Sequence, residues 1–214
     1  MNDQTVEAVL FDYGGVIAEE GFVEGLTAIA DKNGLDRKYF LDRAFDLIYT
    51  TGYLTGRADE AVFWRAIRDA TGITGADSEL TEEIMARFVL RPWVLELVRD
   101  LRSMKATVGI LSDQTNWLDE LDRRDNFFRH FDKVFNSYHL GLSKRDDVVF
   151  DEVRRRLGVA PERICFIDDS EGNCRRARER GLRVILYHTG GEMLDELARY
   201  FPGLDPSRYA VGER

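Results

Sequence analysis

The chain has 214 residues, 44% of them hydrophobic and 32% charged, enough apolar sequence for one large domain or a core domain carrying an insert. A formal charge of −9 argues against nucleic acid or an anionic membrane surface as partner, since both reward basic patches. No apolar run reaches the ~18 residues of a membrane-spanning helix, and Met1-Asn2-Asp3-Gln4 lacks the basic-then-apolar order of a secretory signal.

Only two cysteines occur, Cys165 in a strand-like and Cys174 in a helix-like segment. Buried, reduced thiols and a cytoplasmic location are the expectation. A small anionic substrate stays compatible with the net charge, because a few local cations, a metal or backbone donors override it. Nothing in the sequence chooses between a monomer and a homodimer.

The first element is the apolar run Val9-Leu10-Phe11, which delivers Asp12 and breaks at Gly14-Gly15. Such a run suits a strand buried on both faces of a parallel sheet, and its C-terminal end is where open α/β sheets bind ligands. Asp12 alone is equally compatible with a turn-capping aspartate. Helical periodicity then takes over as far as Leu90. Predicted helices cover Glu24 to Asp31, Lys38 to Tyr49, Asp59 to Ala70 and Glu79 to Val89, the first stopped by Asn33-Gly34 and the third by Gly72. With no strand among them they read as a small bundle inserted into an α/β domain. The aromatic residues Phe45, Tyr49, Tyr53, Phe63 and Trp64 are expected in its core rather than against a ligand.

Arg91-Pro92 opens a helix through Met104, with proline in a permitted first-turn position. Strands and helices then alternate, as in a parallel sheet with helices on its faces. The strands are Thr107 to Leu111, Lys133 to Asn136, Ile164 to Ile167 and Val184 to Leu186. The helices are Trp117 to Arg123, Asp147 to Leu157, Gly172 to Arg180 and Glu192 to Tyr200. A tail from Pro202, with Pro206 and Gly212, reads as an ordered or frayed extension.

Three predicted strands end in polar residues: Asp12, Ser112 and the pair Asp168-Asp169. A parallel sheet brings those ends to one edge. Lys144, in the loop Gly141-Leu142-Ser143-Lys144, adds a cation. Carboxylates, a lysine and a hydroxyl beside glycine amides suit phosphate and a hard metal such as Mg²⁺, which prefers oxygen ligands. Taken singly, Ser112 reads as a turn hydroxyl, Lys144 as a solvated charge and Asp169 as a helix N-cap.

The order and spacing of these motifs resemble the haloacid dehalogenase-like hydrolase superfamily over nearly the whole chain. The matching stretches are Phe11-Asp12-Tyr13-Gly14-Gly15-Val16-Ile17, Ile110-Leu111-Ser112, Gly141-Leu142-Ser143-Lys144 and Phe166-Ile167-Asp168-Asp169-Ser170-Glu171-Gly172-Asn173. Arg91-Pro92 is similar to the family's sugar-phosphatase-like branch.

The resemblance implies a Rossmann-like core over 1–17 and 91–214, with helices on both faces of the sheet, and a helical C1-type cap over 18–90. It implies a Mg²⁺-dependent phosphomonoesterase acting on a small phosphorylated metabolite, such as a sugar phosphate. Asp12 would be the nucleophile forming an aspartyl-phosphate. Asp12, the Gly14 carbonyl and Asp169 would ligate the metal, and Asp168 and Asn173 would support it. Ser112, Asp113, Lys144 and the amides of Tyr13 and Gly14 would bind the phosphoryl group.

One departure matters. Family phosphatases carry a second aspartate two residues after the nucleophile as general acid and base, and here that position is Gly14. Asp113, Tyr53 and Glu19 are the substitute acids the sequence offers. The alternatives are a metal-independent 2-haloacid dehalogenase, in which Asp12 attacks carbon, and a catalytically weak binding protein on the same fold.

Overall fold

The computed structural model describes residues 5–211. The segment Met1–Gln4 and Gly212 of the predicted tail lie outside them. Five strands, β1 (Ala8–Phe11), β2 (Thr107–Ser112), β3 (Lys133–Asn136), β4 (Ile164–Asp168) and β5 (Arg183–Leu186), make one parallel sheet in the order β3-β2-β1-β4-β5. Alternation within the strands sorts the core into two layers. Val9, Phe11, Val108, Ile110, Cys165 and Ile167 face one side, where α5 (Pro92–Ser103) and α10 (Gly190–Ala198) supply Val94, Leu97, Leu101, Met193 and Leu197. Ala8, Leu10, Leu111 and Phe166 face the other, against Val149, Phe150 and Val153 of α8 (Val148–Leu157) and Ala177 of α9 (Glu171–Glu179). Every residue of β1 and β4 is buried, as strands covered on both faces require.

Four helices lie between β1 and α5: α1 (Gly21–Lys32), α2 (Arg37–Thr50), α3 (Glu60–Thr71) and α4 (Asp77–Met85). Their apolar faces belong to the same continuous core as the first side of the sheet. An aromatic cluster ties them to α6 (Trp117–Asp125). Trp117 packs edge-on against Tyr53 at 5.7 Å and Phe63 at 6.3 Å, and lies 6.2 Å from Trp64. A polar chain runs through the same junction, with Glu60 accepting from Trp117 Nε1 at 2.5 Å and from Thr81 Oγ1 at 2.8 Å. Of the five aromatic residues expected in the bundle core, Tyr53, Phe63 and Trp64 are fully buried. Phe45 and Tyr49 instead line the cleft described below.

The helix expected to reach Val89 stops at Met85. Backbone pairing wins there: Leu90 bridges Ala18, Val89 O accepts from Glu19 N, and Ile17 O accepts from Arg91 N, closing the two crossings between insert and core. A one-turn helix, α7 (Ser137–Leu140), capped by Asn136, is too short to carry a readable period. Within the described residues the tail from Pro202 is tied to α5, with Tyr209 Oη donating to Asp100 Oδ2 at 2.9 Å. Among the described residues no helix is long and apolar enough to cross a membrane.

Candidate active site

The strand order reverses at β1, whose neighbours are β2 on one side and β4 on the other. Ligands of open α/β sheets bind at such a point, outside the strand C-termini. Phe11 pairs with Ile110 and Ile167, so Asp12 leaves the sheet level with Leu111 and Asp168. Its amide donates to Ile167 O at 2.8 Å. Register alone therefore sets Asp12 beside Asp168, with Ser112 one residue past Leu111 at the end of the adjoining strand.

Lys144 closes the group. Its side chain is 1% exposed and its ammonium lies 2.6 Å from both Asp12 Oδ2 and Asp168 Oδ2. The reading as a solvated surface charge is excluded. Asp12 Oδ1 also accepts from Ser112 Oγ and from the Tyr13 amide, both at 2.7 Å. Asp168 is held further by the Ser170 amide at 2.7 Å and by Asn173 Nδ2 at 3.1 and 3.2 Å. Asn173 in turn accepts from Arg176 at 2.7 Å, and Arg176 Nε donates to Lys144 O at 2.6 Å.

Asp169 is exposed and makes the third member of an acidic cluster with Asp12 and Asp168, whose ligand atoms all lie within 4.8 Å of one another. It is not the helix cap; Ser170 caps α9. Gly15, at φ +77°, passes so close that a Cβ there would meet Asp169 Oδ2 at 2.1 Å. Only glycine fits that contact.

Three carboxylates around one ammonium leave the site with excess negative charge. Burial pushes the Asp12 carboxyl well above its usual range, against the pull of Lys144 and with the push of Asp168 and Asp169. Desolvation and then Asp168 raise Asp169. Burial works against the charge on Lys144, but Asp12 and Asp168 outweigh it and keep the ammonium protonated.

Around this centre lies a cleft of about 380 Å³, walled by the core on one side and by Phe22, Val23, Phe45, Ile48, Tyr49 and Leu54 of the helical insert on the other. Arg145 stacks on the Tyr49 ring at 3.5 Å. A larger depression of about 900 Å³, lined by Glu19, Arg91, Trp93 and Tyr187, contains none of Asp12, Asp168 and Asp169.

The other residues singled out from sequence fall as follows. Gly14 lines the cleft. The Tyr13 side chain is buried, stacked on Phe127 at 5.0 Å, so only its backbone adjoins Asp12. Asp113 lies in the cleft wall, where its carboxylate accepts from Ser137 Oγ at 2.6 Å, Lys144 N at 2.8 Å and Tyr49 Oη at 3.1 Å. It thus fixes the lysine loop and is committed to three donors.

Neither remaining substitute acid reaches the cleft: Glu19 pairs with Arg91 at 3.0 Å, and Tyr53 Oη donates to Asn116 Oδ1 at 2.7 Å inside the aromatic junction. A further carboxyl in the cleft, beside Asp12, Asp113 and Asp169, is Glu20, which sequence reasoning passed over. Glu20 caps α1, accepting from Val23 N at 3.3 Å. Burial pushes its carboxyl up to about 7; the Val23 bond and Lys144 oppose this and Asp169 adds to it. The missed signal was its place at the mouth of the first insert helix, directly after the first motif.

A parallel sheet carrying an aspartate pair, a buried lysine and a serine at its switch point defines a hydrolase-type α/β site. The chain belongs to the haloacid dehalogenase-like hydrolases, whose family model matches residues 6–181. It is 30% identical over 130 residues to bifunctional epoxide hydrolase 2 of Rattus norvegicus, a match that takes in 57% of this chain but only 23% of that protein. Among solved structures it resembles the HAD family enzyme BT-2542 of Bacteroides thetaiotaomicron, with TM-score 0.71 and 25% identity over 86% of this chain and 94% of that one. BT-2542 has also been crystallised with magnesium, and with magnesium and inorganic phosphate. The L-2-haloacid dehalogenase of Xanthobacter autotrophicus shares the fold, with TM-score 0.62 and 18% identity over 84% of this chain and 76% of that one.

Proposed function

We propose that this chain is a Mg²⁺-dependent phosphomonoester hydrolase that acts on a small phosphorylated metabolite through an aspartyl-phosphate at Asp12. The observation that carries this reading is the buried Lys144 ammonium set 2.6 Å from both Asp12 and Asp168, beside the third carboxylate Asp169. Such a site has donors for phosphoryl oxygens and a carboxylate nucleophile in one place, with more negative charge than one lysine can neutralise. Oxygen-only donors of that density fit a hard divalent cation. Asp12 and Asp169 would hold Mg²⁺ together with the Gly14 carbonyl, and the bound ion would offset the repulsion between Asp12 and the incoming phosphoryl oxygens.

The rest follows from the chain's own groups. An Asp12 oxygen attacks phosphorus as the bond to the leaving oxygen breaks, and water then attacks phosphorus and frees Asp12. Ser112 Oγ and Lys144 Nζ donate to the phosphoryl oxygens, and Asp168 with Asn173 keeps the ammonium aimed. A cleft of about 380 Å³ suits a small substrate. The insert, as a cap, would supply its apolar wall.

The test is phosphate release from a panel of small phosphomonoesters with and without Mg²⁺, beside halide release from 2-haloacids. Metal-dependent phosphate release is expected. Metal-independent halide release without phosphatase activity would replace this reading with dehalogenation, the chemistry of the Xanthobacter neighbour's named class.

A further inference from the structure

Hydrolysis of a phosphomonoester needs a proton delivered to the leaving oxygen and one taken from the attacking water. Most titratable side chains in the cleft are already committed. Asp12 is the attacking group, and Lys144 and Asp169 belong to the charge cluster. Asp113 accepts three hydrogen bonds that anchor the lysine loop, and Tyr49 donates to Asp113. Arg145 and Arg176 hold their protons at any working pH. Glu20 remains. Its Oε1 is turned to the Val23 amide, and its Oε2 stands 2.8 Å from the point where a Cβ on Gly14 would be. The carboxylate thus fills, from the first insert helix, the space that the missing side chain two residues after Asp12 leaves open. A β-carbon at position 14 would displace the carboxylate from this place.

We infer that Glu20 is the proton donor and acceptor of this site, delivered across the cleft from the N-cap of α1. The inference rests on the phosphatase reading above. In the first step an Asp12 oxygen bonds to phosphorus, the P–O bond to the alcohol breaks, and the Glu20 carboxyl gives its proton to the departing oxygen. In the second, the Glu20 carboxylate takes a proton from water as the water oxygen bonds to phosphorus and the P–O bond to Asp12 breaks. Both steps balance, and Glu20 ends as it began. Because the carboxyl rides on the insert, the proton relay is complete only when α1 packs against the core.

The experiment is pre-steady-state kinetics of wild type and Glu20→Gln with two substrates, 4-nitrophenyl phosphate and an unactivated alkyl phosphate. The glutamine keeps the bond to the Val23 amide. With the alkyl ester, a loss of ~10²–10⁴-fold in kcat is expected. With the aryl ester, whose leaving group departs without a proton, Glu20→Gln should release one equivalent of nitrophenolate in a burst and then turn over slowly, because the second step lacks its base. A residue that only supports the fold would lower burst and steady state together.

The variant Gly14→Asp/Glu20→Ala, which vacates the space and refills it from the core, should turn over the alkyl ester faster than Glu20→Ala. Alkyl phosphate turnover by Glu20→Gln within a few-fold of wild type would overturn the inference and leave the phosphatase reading standing. Wild type inactive on both esters would overturn that reading and this one with it.

Discussion

Removing Lys144 tests the electrostatic logic of the site without reference to substrate. Its ammonium, 1% exposed, is the cation 2.6 Å from both Asp12 and Asp168. Lys144→Met keeps the apolar stem and deletes the charge, leaving two buried carboxylates uncompensated. Breaking a buried pair from one side costs about 3–5 kcal/mol, and the full amount should appear above neutral pH. The sign with pH follows from Asp12, whose folded-state pKa already lies above its ordinary 3.8. For a carboxyl raised in this way, ionisation costs stability as pH rises from the unfolded value through the folded one. Without Lys144 the folded value climbs further, so the gap between variant and wild type should be smallest in acid and widen upward. Urea unfolding at pH 5 and pH 8 in chelator measures it. Added Mg²⁺ should recover part of the loss, since a ligand at a hundred times its Kd contributes about 2.7 kcal/mol, and the recovery should be larger in the variant than in wild type. A variant as stable as wild type at both pH values, or one that Mg²⁺ does not stabilise, would refute this account of the site's charge.

Three further outcomes follow. Glu20, raised from 4.5 to about 7 by burial, costs the metal-free protein stability as pH rises across that interval, so Glu20→Gln should match wild type near pH 4 and exceed it by ~2–3 kcal/mol at pH 8 in thermal or urea melts. A Gly15→Ala variant must take a β-carbon at φ +77° against Asp169 Oδ2; it should lose ~1–3 kcal/mol and bind Mg²⁺ more weakly by calorimetry. Glu60→Ala strips the acceptor from Trp117 Nε1 and Thr81 Oγ1 and should destabilise the junction between insert and core by ~1–3 kcal/mol in the same melts.

The legible parts of this molecule are those where sequence and backbone share one period. The strand ending at Asp12 and the four that follow α5 announce themselves by apolar runs between turn residues, and the parallel register then sets Asp12 level with Asp168 and one residue short of Ser112. Lys144 could be placed in a loop but not in a core, because its burial depends on Asp12 and Asp168 arriving from two other strands. Helix ends set by local caps, such as Gly72 and Gly158, were readable; the early end of α4 was not, because Val89 and Leu90 are recruited by Glu19 and Ala18, some seventy residues earlier in the chain. Glu20 shows the same limit at the level of chemistry. A glycine where an acid was expected marks a gap, and only the packing of α1 across the strand ends shows that Glu20, and not its neighbour Glu19, fills it.

The most direct test of the central claim is a rapid-quench single turnover with a phosphomonoester carrying radiolabelled phosphorus, followed by peptide mapping, for wild type and Asp12→Asn. The account predicts label on the peptide that contains Asp12, lost on treatment with hydroxylamine as an acyl phosphate is, and no label or turnover in Asp12→Asn. Phosphate release undiminished in Asp12→Asn, or label carried by a different residue, would contradict it.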